Sequence, residues 1–233
     1  MTASGLSADD RFGSSVATDG QKVVVGAYDN DDAGSNSGSA YVFALPSTDY
    51  AQLAKLAAGD AAAGDEFGGS VAVDGDTVVV GAPSEKHQWQ GAAYVFHTSD
   101  GGATYGQVAK LTADSRHSQE FFGGSVAIDG GTVVVGALGG GGAHGAYSYS
   151  GEVFVFRTTD GGATYAQVAK LTAADDDAHD HFGYSVAIDG GTIVVGAYFD
   201  KIGGGDGHIY YSHGSAYVFR TTDGGATYDQ VAK

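Results

Sequence analysis

Phe-Gly recurs four times along the chain, at Phe12-Gly13, Phe67-Gly68, Phe122-Gly123 and Phe182-Gly183, with spacings of 55, 55 and 60 residues. The residues after each pair are nearly the same: FGSSVATDG, FGGSVAVDG, FGGSVAIDG and FGYSVAIDG, then KVVVGA, TVVVGA, TVVVGA and TIVVGA, then SAYVF, AAYVF, EVFVF and SAYVF. Each unit finishes on QLAK or QVAK. A fixed period of this kind means that one supersecondary unit is stacked on copies of itself, each burying a face that it could not bury alone.

The second repeat reads as four strands. Strand A runs from about Gly69 to Val73, and Asp74-Gly75-Asp76 between apolar runs marks a tight hairpin. Strand B, Thr77 to Gly81, carries an unbroken Val78-Val79-Val80 and is expected to be buried on both faces. Strand C is Ala92 to Phe96. Strand D, about Tyr105 to Leu111, interleaves Gln107 and Lys110 with apolar residues, as an outer edge strand should. The predicted fold is therefore all-β: a β-propeller of four blades, each a four-stranded antiparallel sheet, with strand A nearest the axis. The blades span about 12–56, 67–112, 122–172 and 182–233 of a single domain, 1–233. The last unit stops at Gln230-Val231-Ala232-Lys233, and Met1-Thr2-Ala3 resumes the pattern of Leu171-Thr172-Ala173, so residues 1–11 are expected to close the ring and the termini to lie close together. The alternative is four blades of a larger propeller. A monomer is expected; a stable dimer would share eight blades between two chains.

Composition agrees. Forty glycines and two prolines suit many short strands and tight turns, with 14 tyrosines and 11 phenylalanines supplying bulk. The net charge of −17 repels phosphate backbones and argues against nucleic acid as a partner. It is compatible with a cationic partner, with calcium or simply with solubility. There is no cysteine, hence no disulfide or thiolate chemistry. No apolar run reaches ~18 residues, so no direct membrane insertion is expected. Met1 leads into Thr2-Ala3-Ser4-Gly5 without a basic-then-apolar signal segment.

The Phe-Gly start, the Gly-Ala after strand B and the Gly-x-Ala-Tyr-Val-Phe of strand C resemble the FG-GAP repeat, found in the integrin α-chain propeller and in many secreted or surface proteins. All four units carry the resemblance, although only Gly81-Ala82-Pro83 keeps the complete ending; Tyr28, Leu138 and Tyr198 stand at the proline position elsewhere. The resemblance implies adhesion or binding at the cell surface or outside the cell. Family members often hold calcium between strands A and B. Here that connection is only Asp19-Gly20-Gln21, Asp74-Gly75-Asp76, Asp129-Gly130-Gly131 or Asp189-Gly190-Gly191, too short to supply six to eight oxygens. Between strands C and D, Thr98 to Tyr105, Thr158 to Tyr165 and Thr221 to Tyr228 resemble the Asp-box hairpin of sialidase-type propellers, while the first blade has Leu45-Pro46-Ser47-Thr48-Asp49-Tyr50. A sialidase would need converging arginines. Arg157 and Arg220 lie near the scaffold-side hairpins and Arg11 and Arg116 in links on the opposite side, so the clamp is missing and no enzyme is expected.

Within the chain the A–B and C–D hairpins barely vary, whereas the B–C loops and the links before each Phe-Gly differ in length and chemistry. Loops on a rigid frame carry binding. The candidate ligand-binding residues are Tyr28, His87, Trp89, Tyr147, Tyr149, Phe199, Tyr210 and Tyr211, rings with polar tips of the kind favoured in recognition. Asp29, Asp31 and Asp32 partly resemble a calcium loop, with Gly34 at the sixth position but Ala33 in place of a ligand. The run Asp175-Asp176-Asp177-Ala178-His179-Asp180-His181 is a weaker candidate for a transition metal. The expected function is a non-catalytic binding or adhesion module recognising a protein or glycan through the variable face. The alternatives are an architectural repeat of a larger extracellular assembly or a glycoside hydrolase.

Overall fold

A computed structural model describes residues 1–45, 49–84, 90–113, 120–141, 148–201 and 212–233. The valine-rich runs become strands, as β-branched side chains on a pleated sheet should. Blade one is β1 (Val16–Thr18), β2 (Lys22–Ala27), β3 (Ser39–Ala44) and β4 (Gln52–Leu56). Blade two is β5 (Ser70–Asp74), β6 (Thr77–Ala82), β7 (Ala92–His97) and β8 (Gly106–Leu111). Blade three is β9 (Phe122–Asp129), β10 (Thr132–Ala137), β11 (Glu152–Arg157) and β12 (Ala166–Leu171). Blade four is β13 (Phe182–Asp189), β14 (Thr192–Ala197), β15 (Ser215–Arg220) and β16 (Asp229–Ala232). Each blade is a separate antiparallel meander of four strands, and together they form the four-blade β-propeller architecture. Asp129 pairs with Thr132 across Gly130 and Gly131, both at positive φ, which is the two-residue turn that matches strand twist. Every C–D pair shifts register at one place, after Val42, Val95, Val155 and Val218. A bulge there sharpens the twist of each blade alike.

The core lies between blades. Val24, Ala40 and Val42 of blade one meet Phe67, Val78, Val80 and Tyr94 of blade two in one cluster. Val79, Ala93 and Val95 meet Phe122, Val133 and Phe154 in the next, and Val134, Val153 and Val155 meet Phe182, Ile193 and Tyr217 in the third. The repeated phenylalanine packs on the rings of strand C, as Phe67 does tilted against Tyr94 at 5.5 Å and edge-on to Phe96 at 5.9 Å. Strands β1, β5, β9 and β13 pack in sequence along the inner side, which places strand A where the repeat predicts it.

The polar residues of strand D have a larger task than guarding an edge. Gln52, Gln107 and Gln230 accept hydrogen bonds from the backbone N–H of Ser4, Gly59 and Ala174 at 2.8, 2.8 and 2.9 Å. Each glutamine thereby clamps the incoming link onto its blade.

Blade-to-blade packing runs from one to two, two to three and three to four. Among the described residues nothing comparable joins β13 or β14 to β1 or β2. Ala3 and Leu6, with Phe12, pack on Tyr41, Phe43, Val25 and Ala27 of blade one. The fourth blade keeps its outgoing face open. Val194 is 38% exposed and Ala216 is exposed, where their counterparts Val24, Val79, Val134, Ala40, Ala93 and Val153 are fully buried.

Candidate ligand-binding face

The variable segments converge on one side of the arc. Isolated parallel bridges join Gly38 to Phe67, Gly91 to Phe122 and Gly151 to Phe182, pinning the end of each B–C loop beside the link that starts the next blade. The links themselves turn in one way: Asp10, Asp65 and Asp180 accept from the backbone N–H three residues earlier, at 2.7, 2.8 and 3.1 Å. Certain backbone slots there are left-handed in more than one blade. Arg11, Glu66, Phe121 and His181 fill one such slot, Asp9, Gly64 and His179 another, and Asn36 and Tyr149 a third. Non-glycine residues adopt this conformation rarely and at a cost. A constant, over-determined backbone thus presents different side chains at each junction.

At the junction of blades three and four the slots hold rings. Tyr149 stacks on His179 and His181, with centroids at 6.0 and 5.7 Å and interplanar angles of 17° and 19°. His181 meets Phe199 edge-on at 5.0 Å and Tyr198 at 5.7 Å. Tyr198 and Phe199 adjoin at 4.1 Å, and Tyr184 adds a further ring 4.3 Å from Tyr198. His179, His181, Phe199, Lys201 and Ser212 line a cleft of about 540 Å³. Burial, with help from the neighbouring His179, lowers the His181 pKa, so its ring is neutral at pH 7.

Asp180, between the two histidines, turns inward and is 2% exposed. Burial first, and then the nearby Asp200 carboxylate, push its pKa up to about 6. Among the described residues its Oδ1 has no hydrogen-bond partner. Burial pushes Asp200 up as well, but hydrogen bonds from Lys233, Ser215 and Tyr217 hold its pKa below the usual value; Lys233 Nζ lies 2.6 Å and Tyr217 Oη 2.9 Å away.

Of the sequence-predicted ligand residues, Phe199 lines this cleft and Tyr149 stacks on the two histidines that line it. Tyr28 stands apart on blade one, under the guanidinium of Arg11 at 5.5 Å. His87, Trp89, Tyr147, Tyr210 and Tyr211 lie outside the described residues. The three carboxylates of the calcium-like loop have separate partners. Asp29 pairs with Arg11 at 2.5 Å and accepts from Asn36, Asp31 accepts from the Asn36 N–H at 2.8 Å, and Asp32 pairs with Lys55. In the run 175–181, Asp175 pairs with Lys233 at 2.5 Å while the histidines stack on Tyr149. Among the described residues no three histidine, aspartate or glutamate side chains gather as a metal-holding group. Sequence reasoning read His179 and His181 only as candidate metal ligands and missed Lys201 as a residue of the cleft. Aligning the links residue by residue would have exposed the shared slots.

The FG-GAP repeat matches the chain four times, over residues 1–43, 50–96, 105–156 and 165–219. No curated protein matches the sequence. Solved structures that match include Sqt1 of Saccharomyces cerevisiae, a β-propeller, with a TM-score of 0.54 at 12% identity. The superposition takes in 97% of this chain and 48% of that one, so the four blades span about half of the larger structure. At that identity the likeness shows the fold.

Proposed function

The chain belongs to the FG-GAP repeat family, and from that premise we propose that it is a non-catalytic interaction module that holds its partner on the variable face, in the cleft between blades three and four. The observation that carries this reading is the ring cluster beside an open cleft, in which Tyr149, His179 and His181 sit on left-handed slots and Phe199 packs edge-on to His181. Flat rings bury an apolar face at low entropic cost, while Lys201 and the imidazole nitrogens supply donors. A sugar ring or a peptide side chain bearing an acceptor suits such a surface. The family resemblance favours a place at the cell surface or outside the cell.

Binding is tested on a glycan array and a displayed peptide library, with calcium and with chelator, using wild type, Phe199→Ala and His181→Ala. Each substitution should weaken binding at least about tenfold, with the far-ultraviolet spectrum unchanged. Chelator should leave binding intact, because Arg11 and Lys55 already neutralise Asp29 and Asp32. Ligands that bind both variants as well as wild type would place the site elsewhere. An architectural role in a larger assembly is the second reading, and the open outgoing face of blade four favours it.

A further inference from the structure

The two ends of the arc carry the two unmatched halves of one repeated junction. At the three filled junctions a serine of strand A donates to the carbonyl of the next Phe-Gly: Ser15 to Gly68 at 2.8 Å, Ser70 to Gly123 at 2.8 Å, and Ser125 to Gly183 at 2.7 Å. The glycine of strand B lies so close to that carbonyl that a Cβ on Gly26, Gly81 or Gly136 would come within 2.0–2.1 Å of it. Asp74 and Asp129 accept from the next blade's Gly130 and Gly190 N–H at 2.8 and 2.7 Å. Arg157 donates to the Gly224 carbonyl of the following C–D hairpin.

On blade four the same positions are Ser185, Gly196, Asp189 and Arg220. Among the described residues none of them meets a following blade, and a Cβ on Gly196 would touch only Ser185. Blade one shows the reverse. A Cβ on Gly68, Gly123 or Gly183 would run into a strand C carbonyl of the preceding blade at 2.4, 2.2 or 2.7 Å, yet Gly13 has nothing within 4 Å. Val16 is 68% exposed, where Val71 and Val126 are buried. The N-terminal segment does not occupy the vacant place. Ala3, Leu6 and Phe12 stand where Ala58, Ala61 and Phe67 stand in blade two, beside a preceding blade that those residues leave room for.

We infer that the outgoing face of blade four receives blade one of a second copy of this chain, and that the same junction formed in return closes a two-chain ring of eight blades. The curvature supports this, since the four blades follow 48% of a larger propeller. A heterologous head-to-tail contact that closes after two copies forms a discrete ring and leaves no open end. Each copy carries −17, so the pair tightens as salt screens the repulsion.

Light scattering or sedimentation across a dilution series reads the mass directly. Wild type should reach twice 23.4 kDa, at lower concentration in higher salt. Val194→Glu on the outgoing face and Val16→Glu on the incoming face should each weaken the pair at least about a hundredfold, because each buries an unpaired charge in the junction. A mixture of the two variants should run heavier than either alone, since one junction per pair stays intact. If Val194→Glu does not fold by circular dichroism, Val16→Glu, at a side chain already in solvent, decides alone. Wild type that stays at 23.4 kDa at every concentration and salt overturns the proposal. So does a dimer that survives both substitutions, or a mixture no heavier than its parts.

Discussion

Asp10 and Asp180 occupy equivalent places in their blades and keep opposite company. Asp10 accepts a buried hydrogen bond from the Asn30 side chain at 2.8 Å. In blade four the residue equivalent to Asn30 is Asp200, so two carboxylates face a place where an acid and an amide would be satisfied. Burial and the Asp200 charge raise Asp180 to about 6 from 3.8. The folded state then holds a proton that the unfolded state has released, so this group's contribution is fully present below about pH 3.8 and is lost as pH rises to about 6. Asp180→Asn restores the donor–acceptor pair without the titration. The variant should be more stable than wild type by about 2 kcal/mol at pH 7.5, and the advantage should vanish near pH 3.5. Urea unfolding at the two pH values checks this, and a variant weaker than wild type at pH 7.5 would contradict the pairing. The opposite sign holds in the C–D hairpins. There Asp100, Asp160 and Asp223 each accept from two threonine hydroxyls and from backbone N–H groups, which hold their pKa values far below the usual range. Their contribution is therefore fully present above about pH 3.8 and is lost as pH falls from there toward their depressed pKa values.

The elements are set by a local code, and most of it is legible in the sequence. Asp-Gly and Gly-Gly turns, valine runs and the aromatic strand C give, among the described residues, sixteen strands whose edges fall within a residue or two of expectation in blade two. Strand A is less well read, because β9 and β13 begin at the phenylalanine itself while β5 starts three residues after it. What the code does not display is the reason for Gly81. Its place inside a buried strand would ordinarily be a weakness, but the Gly123 carbonyl of the next blade lies where its side chain would go. Gly81→Ala forces backbone apart and should cost about 3 kcal/mol. Gly196→Ala in blade four displaces only the rotatable Ser185 hydroxyl and should cost less than half as much. Urea midpoints of the two variants, measured on dilute chain so that no second copy is bound, compare them directly. Equal losses would mean that the junction does not set the requirement for glycine. The cleft was half legible for a related reason. Tyr149 and Phe199 stood out as loop aromatics, but their union with His179 and His181 depends on the stacking of blade three on blade four, and no local pattern encodes that contact.

The number of blades in a ring is a property of the whole molecule that a repeat pattern does not contain, because strands A to D read alike whether four units or eight complete the circle. The closing angle comes from the summed side-chain volumes between blades, and here three junctions are filled, with no comparable packing of β13 or β14 on β1 or β2 among the described residues. In such an array stability is approximately a sum of blade and junction terms. Blades two and three each have two junctions, whereas blades one and four have one apiece. Blade four is the more exposed of the end blades, because residues 3–12 cover part of blade one. Amide hydrogen exchange on dilute chain should therefore be slowest in β6 and β10 and at least about tenfold faster in β14, although the three strands have almost the same sequence and the same central place in their sheets. The comparison removes local propensity as a cause: Val79 and Val134 are fully buried and Val194 is not, and the difference lies in the neighbour alone. Uniform protection across the three strands would show that the chain unfolds as one unit, with no weakness at its open end.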